Sequence, residues 1–494
     1  MSTEPVVTTA HGDVRGLAAE GVLAFKGIPY AAPPVGPNRF QPPQPPQPWA
    51  TPLDATEYGP TAPQAPLDPA LAGVIPKVVR PGDDYLNLNV WTPDLAGDRP
   101  VMVYIHGGSF TSGSGSIPGY NGARFARDGV VLVTINYRLG ADGFLWFGEG
   151  TPNLGLLDQI AALTWVRDNV AGFGGDPGNV TVFGESAGAM SVCALLAMPA
   201  AEGLFHRAIA ESGSAHISLS PDNAALIGKR LAHKLGVEPT REAVAAVPTD
   251  LLIAAQTELD HEMVTKPLKS LWGEAALNVV PLPFEPVVDG ELLPAAPITR
   301  IAEGASAGVQ VMIGTTAEEA RLFLVPTGAI SKINNLILDG AAVRYRLPMP
   351  HALRQYRADR HGATAGDLFS ALVTDYLFWI PALRLAEAHP GAHVYEFAWR
   401  SPAYDNTLGA CHIAELPYVF DNLDEPGFAT LLGDNPPQKL ADAMHRAWID
   451  FATTGDPGWP AYSPEHRVAM RFDVDSATTV DERAAERVLW DGLR

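Results

Sequence analysis

A serine flanked by glycines stands where a strand pattern gives way to a helix pattern. Residues 184–188 read GESAG, after a short apolar run and before a longer helical one. A serine hydroxyl is a weak nucleophile unless the backbone presents it beside a base, and a tight strand-to-helix turn does this. Gly184 and Gly188 would leave room on either side, and the helix start would favour developing negative charge. The pattern predicts Ser186 as a nucleophile; the alternative is a Gly/Ser turn without chemistry.

A catalytic serine needs a base and an acid, which on folds with such a turn follow in the chain order serine, acid, histidine. His412 is the favoured base because it stands in a loop shortly after the strand pattern that ends at Trp399. The other late histidines lie inside elements, before a proline or among polar residues: His351, His361, His389, His393, His445 and His466. Glu318 and Glu319 follow an earlier strand pattern, and residue chemistry alone leaves both as candidates for the acid.

A second glycine-rich segment could stabilise the oxyanion that forms in ester hydrolysis. His106, Gly107 and Gly108 directly follow the strand pattern 101–105. Glycines let the backbone approach a ligand closely, and backbone N–H groups aimed at the tetrahedral oxyanion are the donors that acyl transfer requires. The residue after the nucleophile, Ala187, would give the remaining donor.

Short apolar runs alternating with helical patterns indicate an α/β fold. The runs typical of strands are 86–91, 101–105, 130–136, 180–183, 207–211, 309–313 and 393–399. In the clearest helical pattern, 156–170, apolar residues recur with the period of a helix. Such alternation predicts a mostly parallel sheet covered on both faces, with the site beyond the carboxyl ends of its strands. The less regular, Leu/Ala-rich segments at about 215–300 and 325–390 are predicted to form a helical cap that holds much of the substrate specificity.

Composition limits the class of protein. The chain has 494 residues and neither a flexible linker nor an internal repeat, which favours one large domain over residues 1–494. Its net charge of −21, without a basic cluster, argues against nucleic acid and anionic membranes as partners. The start of the chain has no basic, apolar leader and no long uncharged apolar run follows, so we expect a soluble cytoplasmic protein. Cys193 and Cys411 predict free thiols rather than a disulfide scaffold.

Longer segments, spread nearly end to end, carry a family likeness. They are FKGIPYAAPPVGPNRF (25–40), DDYLNLNVWTP (83–93), YIHGGSF (104–110), NYRLGADGFL (136–145), NLGLLDQIAALTWVRDNVAGFGGDP (153–177), VTVFGESAGA (180–189), GACHIAELPYVF (409–420) and WIDFATTGDPGWPAY (448–462). Together they resemble the type B carboxylesterases, the family of the cholinesterases and the bacterial p-nitrobenzyl esterases. The resemblance implies an α/β-hydrolase fold with a helical cap, and a serine esterase that uses no metal or organic cofactor.

Carried over residue by residue, the resemblance implies Ser186 as the nucleophile and His412 as the base. The family's Gly-Thr-x-x-Asp-Glu-Gly segment matches GTTAEEA, which implies Glu319 as the acid and puts Glu318 at the aspartate position. The implied oxyanion donors are the backbone N–H groups of Gly108, Ser109 and Ala187.

The chain departs from the family pattern at three positions. Tyr85 stands where secreted members have a loop-closing cysteine, which agrees with a reducing compartment. Ser109 replaces a common glycine, so its side chain is predicted to narrow that wall of the site. Ala320 replaces the glycine that usually follows the acid. The segment 60–84 also lacks the tryptophan that caps quaternary ammonium in acetylcholinesterase, which makes a choline ester a poor candidate substrate.

These residues predict a carboxylesterase that works by two-step acyl transfer on small, apolar or aryl esters, as a monomer or weak homo-oligomer. Two alternatives stay open. A hydrolase with the same triad could act on carbamates or aryl amides, because the oxyanion chemistry is shared. A non-catalytic binding protein of the same fold is the other alternative, since some relatives have lost the nucleophile; the presence of all three triad residues argues against it.

Overall fold

The computed structural model of the chain describes residues 4–266, 268–273 and 282–493. Contacts within the chain divide it into two units. The first unit is Met1–Pro66, Lys77–Ile209 and Ile217–Val309, and the second is Leu67–Pro76, Ala210–His216 and Gln310–Arg494. The predicted cap segment 215–300 includes residues 267 and 274–281, which lie outside the described residues. The expectation of one domain over residues 1–494 stays a prediction.

Paired strands form the sheet of the first unit. Its strands are β1 (Val6–Thr9), β2 (Gly12–Arg15), β3 (Leu17–Ala19), β4 (Val22–Pro29), β5 (Leu53–Asp54), β6 (Asn87–Thr92), β7 (Arg99–Ile105), β8 (Val131–Ile135) and β9 (Gly175–Glu185). The order β9-β7-β8-β6-β4-β3 runs across the sheet, and β1, β2 and β5 form a smaller one. β7 is parallel to β8 and β9, whereas the β8-β6, β6-β4 and β4-β3 pairs are antiparallel. The chain crosses between units within β10 (Arg207–Glu211).

The middle of this sheet is buried on both faces. The apolar residues of β7 have no exposed surface, and those of its neighbour β8 have none either. Continuous apolar runs of this kind are typical of strands covered on both sides. The register sets Ile105 opposite Ile135 of β8 and Gly184 of β9. Since parallel strands end at the same edge of a sheet, His106 and Ser186 leave the sheet at one edge.

The helices of the first unit follow the expected sequence signals. They are α1 (Ala123–Arg127), α2 (Gly140–Phe144), α3 (Leu154–Asn169), α4 (Ala187–Ala197), α5 (Pro221–Leu235), α6 (Arg241–Ala245), α7 (Thr249–Thr265), α8 (Lys269–Trp272) and α9 (Pro297–Ala302). α4 is buried along its whole length, as a helix that is apolar all round must be. α5 begins where the Ser220 hydroxyl accepts the N–H of Asn223 and ends at Gly236, with φ of 68°.

The second unit contributes, over its described residues, four further strands and a second set of helices. Its strands are β11 (Gln310–Thr316), β12 (His393–Phe397), β13 (Val468–Phe472) and β14 (Ala477–Val480), of which β11, β12 and β13 are parallel and β14 is antiparallel. Its helices are α10 (Arg321–Leu324), α11 (Asn335–Arg344), α12 (His351–Ala358), α13 (Ala365–Thr374), α14 (Ile380–Ala388), α15 (Ala403–Asn406), α16 (Leu416–Val419), α17 (Ala429–Leu432), α18 (Gln438–Thr454) and α19 (Ala484–Arg487). Thr316 pairs with Phe397, so the segments after β11 and β12 leave the sheet together.

One helical stretch, Ala365–Ala388, is long and apolar enough to cross a membrane by length and composition. It comprises α13, a π-helical turn at Asp375–Trp379, and α14. In the folded chain 72% of its apolar window is buried, and the Asp375 carboxylate inside it accepts hydrogen bonds from Tyr356 and Arg483. A buried core helix passes the same composition test, so the stretch is weak evidence for a membrane span.

The predicted elements are confirmed with small shifts at their ends. The runs 101–105 and 309–313 correspond to β7 and β11, and the pattern 156–170 corresponds to α3. The run 180–183 is the end of a longer strand, β9. Cys193 and Cys411 are free and buried, as predicted.

The carboxyl group of Asp260, in α7, makes the stability of the folded chain depend on pH. Burial raises the pKa of this carboxyl from 3.8 to about 7, and its Oδ1 has no hydrogen-bond partner among the described residues. Between pH 3.8 and about pH 7 the folded chain therefore keeps a proton on Asp260 that the unfolded chain releases. The stability of the fold falls as the pH rises through this range.

We expect Asp260→Asn to raise the melting temperature at pH 8 and to change it little near pH 4. The gain is on the order of a few kcal/mol, at about 1.4 kcal/mol per pKa unit. Calorimetry across this pH range measures it, with Asp98→Asn at an exposed position as the control. An equal effect of Asp260→Asn at both pH values would contradict a raised pKa.

Candidate active site

Ser186 occupies a strained turn between β9 and α4. Its φ of 56° and ψ of −123° lie in a sparsely populated region for a residue with a side chain. Such a conformation costs on the order of 1–3 kcal/mol and persists only where the surroundings enforce it. The carbonyl of Ser186 already accepts the N–H of Met190, at 2.9 Å, so the helix starts directly after the serine. The predicted strand-to-helix turn is therefore present.

Two glycines let β7 pass close to this turn. A Cβ atom on Gly188 would lie 2.0 Å from the carbonyl oxygen of Ile105, and a Cβ atom on Gly184 would lie 2.6 Å from the same oxygen. Real Cβ atoms do not come this close, so any side chain at either position must displace the strand or the turn. The two glycines of the pentapeptide are required by packing against Ile105.

The loop after β7 folds against Ser186. A Cβ atom on Gly107 would lie 3.1 Å from the Cβ atom of Ser186, so the backbone of this loop borders the serine. Three consecutive residues then adopt positive φ: Gly108 at 113°, Ser109 at 56° and Phe110 at 60°. Left-handed backbone at three successive residues forms a tight turn directly after the residue that borders Ser186.

Hydrogen bonds close the loop while leaving its first N–H groups available. The carbonyl of Gly108 accepts the N–H groups of Thr111 and Ser112, at 3.0 and 2.9 Å. Within the described residues, the N–H groups of Gly108, Ser109 and Ala187 donate to no protein acceptor. The side chain of Ser109, predicted to narrow the wall of the site, is exposed. These three donors are free to bind an anionic oxygen.

His106 supports the loop as a neutral imidazole. Its ring stacks on Tyr137 at a centroid distance of 4.6 Å, and its Nδ1–H donates to the carbonyl of Gly107 at 2.8 Å. The Tyr137 hydroxyl in turn donates to the carbonyl of His106. Burial lowers the pKa of His106 to about 4. Sequence reasoning did not find Tyr137, because an aromatic residue after a strand gives no signal of its own.

In the second unit, Glu319 and His412 meet in a buried contact. The Nδ1–H of His412 donates to Oε2 of Glu319 at 2.6 Å, and Oε1 of Glu319 accepts the N–H of Thr316 at 2.8 Å. Glu319 is fully buried and His412 is 3% exposed. A carboxylate held in this way fixes the tautomer of the imidazole, leaving Nε2 as a proton acceptor. The predicted acid and base are thus brought together.

Two aromatic rings border His412. The ring of Phe323 lies 5.4 Å and that of Phe378 lies 5.1 Å from the imidazole centroid. Phe378 belongs to the π-helical turn between α13 and α14, and Phe323 belongs to α10. Both rings thus lie beside an imidazole and a carboxylate that are themselves almost fully buried. Neither could be identified from the sequence, since they lie far from His412 along the chain.

The neighbouring Glu318 turns away from the imidazole. Its carboxylate contacts Arg321, Arg400 and the N–H of Ala410 instead. The next residue of the turn, Ala320, has φ of −67° and donates its N–H to the Thr374 hydroxyl. A glycine is therefore not needed at position 320. Of the two glutamates that residue chemistry left open, Glu319 is the one that contacts His412.

The chain matches the Carboxylesterase family over residues 3–489. The chain belongs to that family. It is 41% identical to the para-nitrobenzyl esterase of Bacillus subtilis (strain 168) over 504 residues, with 98% of each chain covered. It is 36% identical to the phenmedipham hydrolase of Pseudarthrobacter oxydans over 506 residues, which covers 98% of this chain and 97% of that one. A solved carboxylesterase of Geobacillus stearothermophilus gives a TM-score of 0.85 at 38% identity, covering 98% of this chain and 99% of that one.

This carboxylesterase is a hydrolase of carboxylic esters with the α/β-hydrolase fold, and the family predicted from the sequence motifs is confirmed. Its first unit brings the Gly107 backbone to Ser186, and its second unit brings Glu319 to His412. Among the described residues, no group of three or more His, Cys, Asp and Glu side chains is arranged to hold a metal ion.

Gly188→Ala should lower kcat of this carboxylesterase by about 100-fold, because the added methyl group must push the Ser186 turn away from Ile105. Alanine has a higher helix propensity than glycine, so a loss of activity cannot come from a less stable α4. The control is Gly340→Ala in α11, where the added Cβ meets open space and kcat should not change. Ester turnover and melting temperature of both variants are the measurements. Wild-type kcat in Gly188→Ala would contradict the packing argument.

Proposed function

We propose that Ser186 is the nucleophile, His412 the general base and Glu319 the residue that orients and stabilises the imidazole. The buried contact of 2.6 Å between Glu319 and His412 carries the proposal, because a carboxylate is desolvated at such a cost only when its charge is used or compensated. The strained backbone of Ser186 supports it further.

Acylation would proceed by proton transfer and attack in one step. His412 takes the Ser186 proton at Nε2 while the hydroxyl oxygen attacks the ester carbonyl, and the carbonyl electrons move onto its oxygen. The N–H groups of Gly108, Ser109 and Ala187 would donate to that oxygen. As the tetrahedral intermediate collapses, the imidazolium gives its proton to the leaving alcohol.

Deacylation would repeat the sequence with water as the nucleophile. The imidazole takes a proton from water, the resulting hydroxide attacks the acyl carbonyl, and the Ser186 oxygen leaves with the proton that His412 returns. Glu319 stays ionised throughout and stabilises the imidazolium in both steps. The steps use the residues of the chain and need no metal or cofactor.

Small esters with an aryl group are the substrates we propose. The name of the para-nitrobenzyl esterase relative supports an arylmethyl ester, and the name of the phenmedipham hydrolase relative supports aryl carbamates as a second class. Both classes pass through a tetrahedral oxyanion, so one site can serve them.

We also propose a cytoplasmic location, and a monomer or weak homo-oligomer with no nucleic-acid or membrane partner. Two free, buried thiols fit a reducing compartment, and an excess of 21 negative charges disfavours anionic partners.

Ser186 should be the site of covalent labelling by a sulfonyl fluoride or an organophosphate. One equivalent should inactivate the enzyme, and peptide mass spectrometry should place the adduct on Ser186, because only an activated serine reacts at a useful rate. Ser186→Ala should take up no label and retain at most a residual rate of about 10³ to 10⁴ over water. Labelling of Ser186→Ala at the wild-type rate would remove Ser186 from its role.

The substrate proposal predicts a difference between two matched substrates. A p-nitrophenyl ester and an N-aryl carbamate with the same leaving group should both be hydrolysed, the ester faster, because nitrogen donation makes the carbamate carbonyl less electrophilic. kcat/KM for each, and the rate of recovery from a carbamoylated enzyme, are the measurements. A carbamate that only inactivates, without turnover, would restrict the enzyme to esters.

A further inference from the structure

A set of hydrogen bonds ties the segment before His412 to the turn that carries Glu319. We call residues 407–412 the histidine loop and residues 316–321 the acid turn. Two backbone bonds join them: the N–H of Glu318 donates to the carbonyl of Ala410 at 2.8 Å, and the N–H of His412 donates to the carbonyl of Glu319 at 3.2 Å. The position of the imidazole is therefore set by how these two segments pack.

The Glu318 side chain makes the central bonds of this junction. Its Oε2 accepts the N–H of Ala410 at 3.0 Å and a hydrogen bond from Arg400, while its Oε1 accepts Nε–H of Arg321 at 2.8 Å. Arg321 also donates to the carbonyl of Thr407, at 2.7 Å. One carboxylate thus holds the middle of the histidine loop directly and its first residue through an arginine.

The loop is built around this carboxylate. Gly409 has φ of 69°, and a Cβ atom there would lie 2.3 Å from Oε2 of Glu318 and 3.0 Å from Cδ of Arg321. Only a residue without a side chain lets the loop lie flat against Glu318 in this backbone conformation. This contact explains why a glycine stands directly before the alanine–cysteine–histidine end of the loop.

The other face of the junction opens to water. A cavity of about 650 Å³ is lined by Glu318, Arg321 and Arg400, together with further acidic and basic side chains. Glu318 itself is 21% exposed. With a neutral side chain at position 318, Arg321 keeps its ion pair with Asp367 at 2.7 Å and Arg400 is 53% exposed, so a variant there leaves no buried, unpaired charge and should fold.

We propose that Glu318 is a positioning residue for catalysis: it fixes the histidine loop so that Nδ1 of His412 stays on Oε2 of Glu319. The inference rests on the proposed function, since it concerns the same base. Glu318 acts on the imidazole through the backbone of Ala410, whose N–H it accepts. A displacement of about 1 Å in a catalytic group costs about 100-fold in rate, so partial loosening should cost about tenfold.

The first experiment compares two glutamates of similar exposure that each pair with two arginines, of which Glu318 also accepts a hydrogen bond from the histidine loop. Glu387 in α14 accepts hydrogen bonds from Arg384 and Arg467, at 2.8 and 2.9 Å, and is 20% exposed, close to the 21% of Glu318. Glu318→Gln leaves one acceptor oxygen for three donors and should lower kcat about tenfold with KM unchanged. Glu387→Gln should keep kcat within twofold while changing the melting temperature by a similar amount.

Glu319→Gln separates failure of this inference from failure of the proposed function. It should lower kcat by about 10³- to 10⁴-fold by favouring the wrong tautomer. If Glu319→Gln is inactive and Glu318→Gln matches Glu387→Gln in kcat, the triad stands and the positioning role is overturned. If Glu319→Gln keeps wild-type kcat, the proposed triad falls, and the positioning role with it.

A second test uses Gly409→Ala. Its methyl group should push the Glu318 carboxylate off Ala410 and lower kcat about as much as Glu318→Gln does. In Glu318→Ala the nearest obstacle is gone, while the positive φ of Gly409 and the contact with Cδ of Arg321 still disfavour alanine. The kcat loss of the double variant Gly409→Ala with Glu318→Ala should therefore be smaller than the product of the two single losses. Losses that multiply in the double variant would show that Gly409 acts independently of Glu318 and would overturn the proposal.

Discussion

The hydrogen bond between a fully buried carboxylate and an imidazole sets the requirements for much of the second unit. A Glu319 carboxyl group without exposed surface is tolerated only if both of its oxygens are hydrogen-bonded, and they are, by the N–H of Thr316 and by His412. Meeting that requirement needs a strand end that supplies one donor and a loop that supplies the other. β11 and the segment after β12 provide them because these parallel strands leave the sheet at the same edge.

The first unit meets a different requirement, which is to hold an unfavourable backbone conformation in place. Ser186 is kept at positive φ because β7 packs where side chains at positions 184 and 188 would otherwise be. The adjoining loop adds two more left-handed residues, Ser109 and Phe110. Backbone strain of this kind is tolerated only where the surroundings are well packed. The sheet meets this condition, because the apolar residues of β7 and β8 are fully buried.

Patterns that recur along the chain could be predicted, whereas contacts between distant residues could not. The strand-to-helix turn at Ser186, the glycine-rich loop after β7 and the central strands could be predicted from local spacing and apolar runs. The edge strands β3 and β14 were missed because most of their residues are exposed and carry no apolar periodicity. Residue chemistry could not choose between Glu318 and Glu319. The two side chains are adjacent in a turn, and the conformation of that turn decides which of them faces His412. The family pattern made the choice, and the geometry agrees with it. Phe323, Phe378 and Tyr137 become part of the site only through tertiary packing.

The buried His106 has a consequence for how solution data on this enzyme are interpreted. With its pKa lowered to about 4, its ring is neutral near pH 7 and above, although it adjoins the loop beside Ser186. Titration of this ring therefore does not change the electric field at that loop in neutral or alkaline solution. A chemical shift or rate change that titrates in this range must be assigned to another ionisable group, so one of the thirteen histidines can be set aside at the outset.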